Sequence, residues 1–239
     1  MKREKKAQLT IFIIISLALV IVISLVFFLN QNNKNYSEGI EPVFSFVQGC
    51  IDKTADDAVY NIGKTGGYNL TPNLSTNSKI AYYFYNNRDY MPSKSTIEKE
   101  LSNYFKDNLF LCINNFTDFT DLDIEPGALS SLTEIRDKEV VFNIKYPLLV
   151  KKDNKNYILD NFESNIPIRL GIIYNVAQEM ILEKKENKDI CLSCLGEIAD
   201  KNDIYIEIMD YHGDTVFTLI DNQTQINSGD FRFNLAEYG

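Results

Sequence analysis

Residues 203–238, DIYIEIMDYHGDTVFTLIDNQTQINSGDFRFNLAEY, alternate apolar and polar side chains in three short runs. The runs cover 203–211, 215–221 and 230–238, and His212-Gly213-Asp214 joins the first two. A period of two broken at a Gly-containing turn spells an antiparallel meander. Upstream, LSSLTEI (129–135) and EVVFNIKY (139–146) flank Asp137-Lys138 as a hairpin. A further turn at Asp153-Asn154-Lys155-Asn156 leads into YILDNF (157–162). Pro147 confines its strand to an edge or places a bulge there. The aromatic run KIAYYFY (79–85) reads as one more strand, with Tyr83 and Tyr85 on one face and Tyr82 opposed.

Three segments change the period to 3.6. In the first, Val43, Phe46, Val47, Cys50, Ile51, Ala55, Ala58, Val59 and Ile62 form one stripe. Pro42 suits its first turn, and Gly63 and Gly66-Gly67 end it. The second runs from Ile97 to Phe116 behind Ser95-Thr96-Ile97-Glu98, the pattern of a reciprocal N-terminal cap. The third spans 168–186 with Leu170, Ile173, Tyr174, Ala177 and Ile181. Three helices with six to eight mostly antiparallel strands predict an α+β domain over residues 41–239. The charged stretch before Cys191 marks 187–202 as the place where two subdomains would divide.

Ahead of this body, LTIFIIISLALVIVISLVFFL (9–29) carries no charge. At about 1.5 Å per residue it spans roughly 31 Å, the thickness of a bilayer core. Lys2, Arg3, Lys5 and Lys6 precede it, and Lys34 is the one base soon after. The positive-inside bias makes 1–8 a cytoplasmic terminus, 9–29 a single-pass transmembrane helix and 30–40 a polar linker to an extracytoplasmic domain. The run is longer than the apolar core of a secretory signal and ends without a small-residue cleavage site, which favours an uncleaved anchor. The chain carries a formal charge of −9, and its body is more acidic still, so it is no nucleic-acid binder.

The junction Lys5-Lys6-Ala7-Gln8 before the apolar run resembles the class III signal peptides of archaeal type IV pilin-like proteins. The resemblance implies processing between Ala7 and Gln8 by a prepilin-type peptidase, with the helix retained. The whole plan is similar to that of single-span archaeal surface proteins.

Four cysteines in a body placed outside the membrane favour disulfides. Cys50 and Cys112 each lie on the apolar stripe of a predicted helix, so they point at one core and pair, leaving Cys191 with Cys194. Buried free thiols at Cys50 and Cys112 are the alternative. A redox role for Cys191-Leu192-Ser193-Cys194 would need a strand before it and a helix opening on it. Zinc would need four ligands, and the chain has no second CxxC and a single histidine, His212, in a turn. Asp118, Asp121, Asp123 and Glu125 read as a solvated acidic loop rather than a calcium site, since the glycine and final Glu of an EF-hand are missing. Sequons at Asn35, Asn69, Asn73, Asn115 and Asn222 permit glycosylation. No serine lies in a nucleophile elbow, and no metal, cofactor or catalytic residue is assigned.

The expected function is therefore that of a membrane-anchored surface protein with a structural or interaction role, pilin-like in plan. Its partners would be the lipid bilayer and other surface proteins. A ligand-binding sensory or accessory ectodomain, acting through a partner, is the alternative. A membrane-tethered hydrolase is a third.

Overall fold

The computed structural model describes residues 17, 19, 20, 39–187, 190–211 and 213–238. The Ala7-Gln8 junction, the linker up to residue 38 and His212 lie outside these, as does the 9–29 segment apart from Leu17, Leu19 and Val20. Among the described residues no helix is long and apolar enough to cross a membrane. The chain divides into Met1–Gly39 and a compact unit, Ile40–Gly239, whose architecture follows.

This unit is α+β, as its alternating periods imply, with four helices and nine strands among the described residues. Helix α1, Glu41–Thr65, begins with Pro42 in its first turn and buries Val43, Val47, Cys50, Ile51, Ala55, Ala58, Val59 and Ile62. It ends where Gly66 turns left-handed (φ 76°), a conformation that glycine reaches without steric cost. Near that end Gly63 meets the last strand so closely that a Cβ would sit 2.5 Å from the Arg232 carbonyl oxygen. Strands β1 (Tyr82–Tyr85) and β2 (Arg88–Asp89) form a hairpin across Asn86 and Asn87, both at positive φ. Helix α2, Lys94–Ile113, follows.

The cap of α2 departs from the expected one. Ser93, not Ser95, is the N-cap, and its hydroxyl accepts from the Thr96 amide at 3.1 Å. Glu98 reaches instead to the Ile135 amide at 3.0 Å, so it caps a strand end rather than its own helix. Two overlapping Ser-x-x patterns compete here, and the tertiary contact takes the glutamate.

One sheet is built on β5 (Val140–Lys152), with β6 (Lys155–Ile166) along one side. Its other side carries β3 (Asp123–Pro126) and β4 (Ser130–Ile135), placed end to end. Pro147 lies inside β5 as a bulge: the β5–β6 register shifts between Lys145 and Leu148. Pro147 has no N–H for the ladder, and its carbonyl accepts from Gly127 at 2.7 Å in the break between β3 and β4. Phe105 of α2 packs on Phe142, and Phe44 of α1 stacks on Phe162. Both helices thus cover this sheet.

The second sheet has the order β2-β1-β9-β8-β7, with β7 (Tyr205–Tyr211), β8 (Asp214–Ile226) and β9 (Gly229–Tyr238) forming the expected meander. Strand β1 joins it in parallel to β9, the single parallel pairing among the described strands. A register shift between Tyr82 and Phe84 overturns simple alternation in β1. Tyr82 and Tyr85, expected on opposite faces, have ring centroids 5.0 Å apart, and Tyr83 is fully buried with its hydroxyl donating to the Gly66 carbonyl. Helix α3 (Leu170–Glu186) packs on the β7–β9 meander through Met180 and Ile181. A fourth helix, α4 (Leu192–Asn202), stands where no helix was expected. Its apolar residues Leu192, Leu195, Ile198 and Ala199 do recur at helical spacing, although only Leu195 is buried.

Candidate functional site

The two sulfur bridges are Cys50–Cys112, with Cα atoms 5.5 Å apart, and Cys191–Cys194, at 5.2 Å. These are the pairs that the helical stripes imply. The first joins α1 to α2 from a buried Cys50, 3% exposed, to a half-buried Cys112. The second lies at the surface and is the more informative chemically.

Cys191 is the N-cap of α4. Its backbone is extended, its carbonyl accepts from the Leu195 amide at 3.0 Å, and its Sγ accepts from the Cys194 amide at 3.2 Å. The sulfur takes the place that a Ser or Asp oxygen usually holds at a helix start. Both cysteines are half-buried, while the intervening Leu192 and Ser193 are exposed. The segment therefore does open a helix, although a helix rather than a strand precedes it.

The end of α3 completes the surroundings. The Glu183 carboxylate and the two sulfurs lie within 4.8 Å of one another. Asn187 donates to that carboxylate from its side chain and to the Glu183 carbonyl from its amide, fixing the helix end beside the cysteines. Beneath Cys191 is a recess of about 20 Å³, the volume of roughly one water, floored by Phe217 and Leu235. Lys184 borders it and pairs with the buried Glu237 of β9 at 3.1 Å. Glu183, Cys191 and Cys194 are the one group of three possible metal ligands among the described residues. With the sulfurs bonded to each other, they offer no thiolates to an ion.

The remaining candidates resolve into structure. Asp123 and Glu125 lie on β3, both paired with Lys151 of β5. Asn69 donates to Asp107 and takes its place in a loop against α2. A polar centre that the sequence reading missed is the Arg169–Asp221 pair. Arg169 Nε and Nη2 donate to both oxygens of the fully buried Asp221 at 3.0 and 2.8 Å. Thr224 and the Gln223 amide add two more donors, and Arg169 also donates to the Asn202 and Asp203 carbonyls. Burial pushes the Asp221 carboxyl up, but the guanidinium, the hydroxyl and the amide outweigh it and hold the group below the usual range.

The fold and site thus define an α+β domain with two disulfides, one joining α1 to α2 and one at the start of α4 near the surface. No family model, curated protein or solved structure matches the chain.

Proposed function

We propose that the chain is a membrane-anchored extracytoplasmic protein with a structural or interaction role, tethered by residues 9–29. The observation that carries this is the uncharged 21-residue run behind Lys2, Arg3, Lys5 and Lys6. Two disulfides suit an oxidising exterior. An interaction role is supported by β7, which ends its sheet and exposes Tyr205 and Met209 at 61% and 65% on one face. Aromatic and Met side chains on an open edge are the materials of a protein contact. The Lys5-Lys6-Ala7-Gln8 junction extends the proposal to pilin-like processing after Ala7.

Protease added to intact cells stripped of outer layers will degrade residues 30–239; protection of this body until lysis rejects the topology. Terminal sequencing of the purified protein will find Gln8 if the junction is cut. An intact Met1 or Lys2 removes the pilin-like part and leaves an ordinary anchor.

A further inference from the structure

We infer that Cys191–Cys194 is an exchange-active disulfide that oxidises a dithiol on another protein. Four observations converge on it. The pair caps an 11-residue helix, and the Cys194 amide already points at Cys191 Sγ from 3.2 Å. That amide and the positive end of the helix favour a thiolate on Cys191, as does Lys184 at the edge of the recess, and together they outweigh the opposing Glu183 carboxylate. The residues between the cysteines are exposed, so an incoming sulfur has an approach. The Glu183 carboxylate lies within 4.8 Å of both sulfurs, close enough to pass a proton through one water. Finally, the bridge spans a sequence separation of only three, so it constrains the unfolded chain less than half as much as the Cys50–Cys112 bridge, with its separation of 62. Stability alone gives less reason for it than for Cys50–Cys112.

The steps balance within the pair and its partner. A partner thiolate attacks Cys191 Sγ, the Cys191–Cys194 bond breaks, and Cys194 leaves as a thiolate that takes a proton relayed by Glu183. The partner's second thiolate then attacks its own sulfur in the mixed disulfide and expels Cys191, whose charge rests on the Cys194 amide. The partner gives two electrons to the chain and its two thiol protons to solvent, and gains a disulfide; the chain takes two electrons and one proton and ends with Cys194 as a thiol and Cys191 as a thiolate. No other oxidant enters this single turnover. Exchange through Cys191 is independent of the anchoring proposed above, since it is read on purified protein.

The test uses the full chain in detergent and a synthetic peptide carrying two thiols. Mixing at pH 7 should convert one peptide equivalent to its disulfide. Alkylation and mass mapping should then find Cys191 and Cys194 reduced while Cys50–Cys112 stays bonded. In the reduced protein, alkylation of Cys191 against pH should report a thiolate pKa at least about one unit below the free value near 8.5, roughly tenfold more thiolate at pH 7. Cys194→Ser should accumulate the mixed disulfide at Cys191 when challenged with the pre-oxidised peptide. Glu183→Gln should slow turnover several-fold at pH 7 and change its pH profile, with the melting temperature unmoved. A Cys191–Cys194 bond that survives the peptide as Cys50–Cys112 does overturns the inference. So does a Cys191 that titrates near 8.5.

Discussion

Asp221 carries a charge at a fully buried position, and its cost is met by four donors from three residues, Arg169, Gln223 and Thr224. A buried pair of this kind is worth less than its Coulomb energy, yet removing one partner strands the other. Arg169→Met should therefore cost about 3–5 kcal/mol in urea unfolding at pH 7, the range for an uncompensated buried charge. The pH dependence gives a second check. The folded carboxyl lies below the ordinary 3.8, so its stabilisation is complete above that value and fades as pH falls through the lower folded value. In Arg169→Met the folded carboxyl rises, so its contribution reverses sign and the variant recovers part of its deficit as pH drops towards 4. A constant deficit between pH 7 and 4 would show that the lost guanidinium acted by packing alone. This centre had a trace in the sequence. Phe217, Leu219 and Asp221 alternate inward on β8, as Phe231, Phe233, Leu235 and Glu237 do on β9. An acid at an inward register demands a partner, although nothing nearby in sequence says that Arg169 and Lys184 supply it.

Helix α2 shows how an element start is decided between two local signals. Ser93 and Ser95 both stand before the helix, and their hydroxyls are 2.9 Å apart. Only Ser93 accepts from a backbone amide, and Glu98 is drawn away to the Ile135 amide. Ser93→Ala should thus cost about 1 kcal/mol, the usual loss of a cap, whereas Ser95→Ala should stay within roughly 0.5 kcal/mol. Equal losses on thermal unfolding would restore the Ser95 cap. The 3.6 period of the stripe made α1, α2 and α3 legible, because each buries a long apolar face. Helix α4 buries Leu195 alone and is held by the Asp203 turn and by Arg169 donating to its last carbonyls. Its apolar spacing was there to be read, but the ties of its last turn to Arg169, 33 and 34 residues away in sequence, are not carried by a local pattern.

In the Ile40–Gly239 unit, α1 is the shared element: it touches β6 through Gln48 and Asp52 and β9 through Gly63. The Cys50–Cys112 bond fastens this helix to α2 across a sequence separation of 62, a constraint of about 4 kcal/mol on the unfolded chain. Replacing both with Ala should lower the melting temperature by roughly 10 °C for a body of this size. Replacing Cys191 and Cys194 with Ala should lower it by roughly 4 °C, since the same model gives about 2 kcal/mol for a separation of three. Calorimetry of the two double variants decides; similar shifts would mean that the surface bridge is a structural staple.

What the sequence by itself determined is the set of faces. Periods of two and 3.6 decided strands against helices, hence α+β, and placing Cys50 and Cys112 on buried stripes decided which sulfurs could meet. Local chemistry suffices there, since a face is a property of consecutive residues. Only the tertiary structure decided that Pro147 bulges inside β5, that β1 pairs in parallel with β9, and that Tyr82 and Tyr85 share a side. It alone brought Glu183 to the Cys191–Cys194 pair and Arg169 to Asp221. Each of these depends on which elements pack together and in what register, and that is set by the summed burial of the whole core rather than by any stretch of the chain.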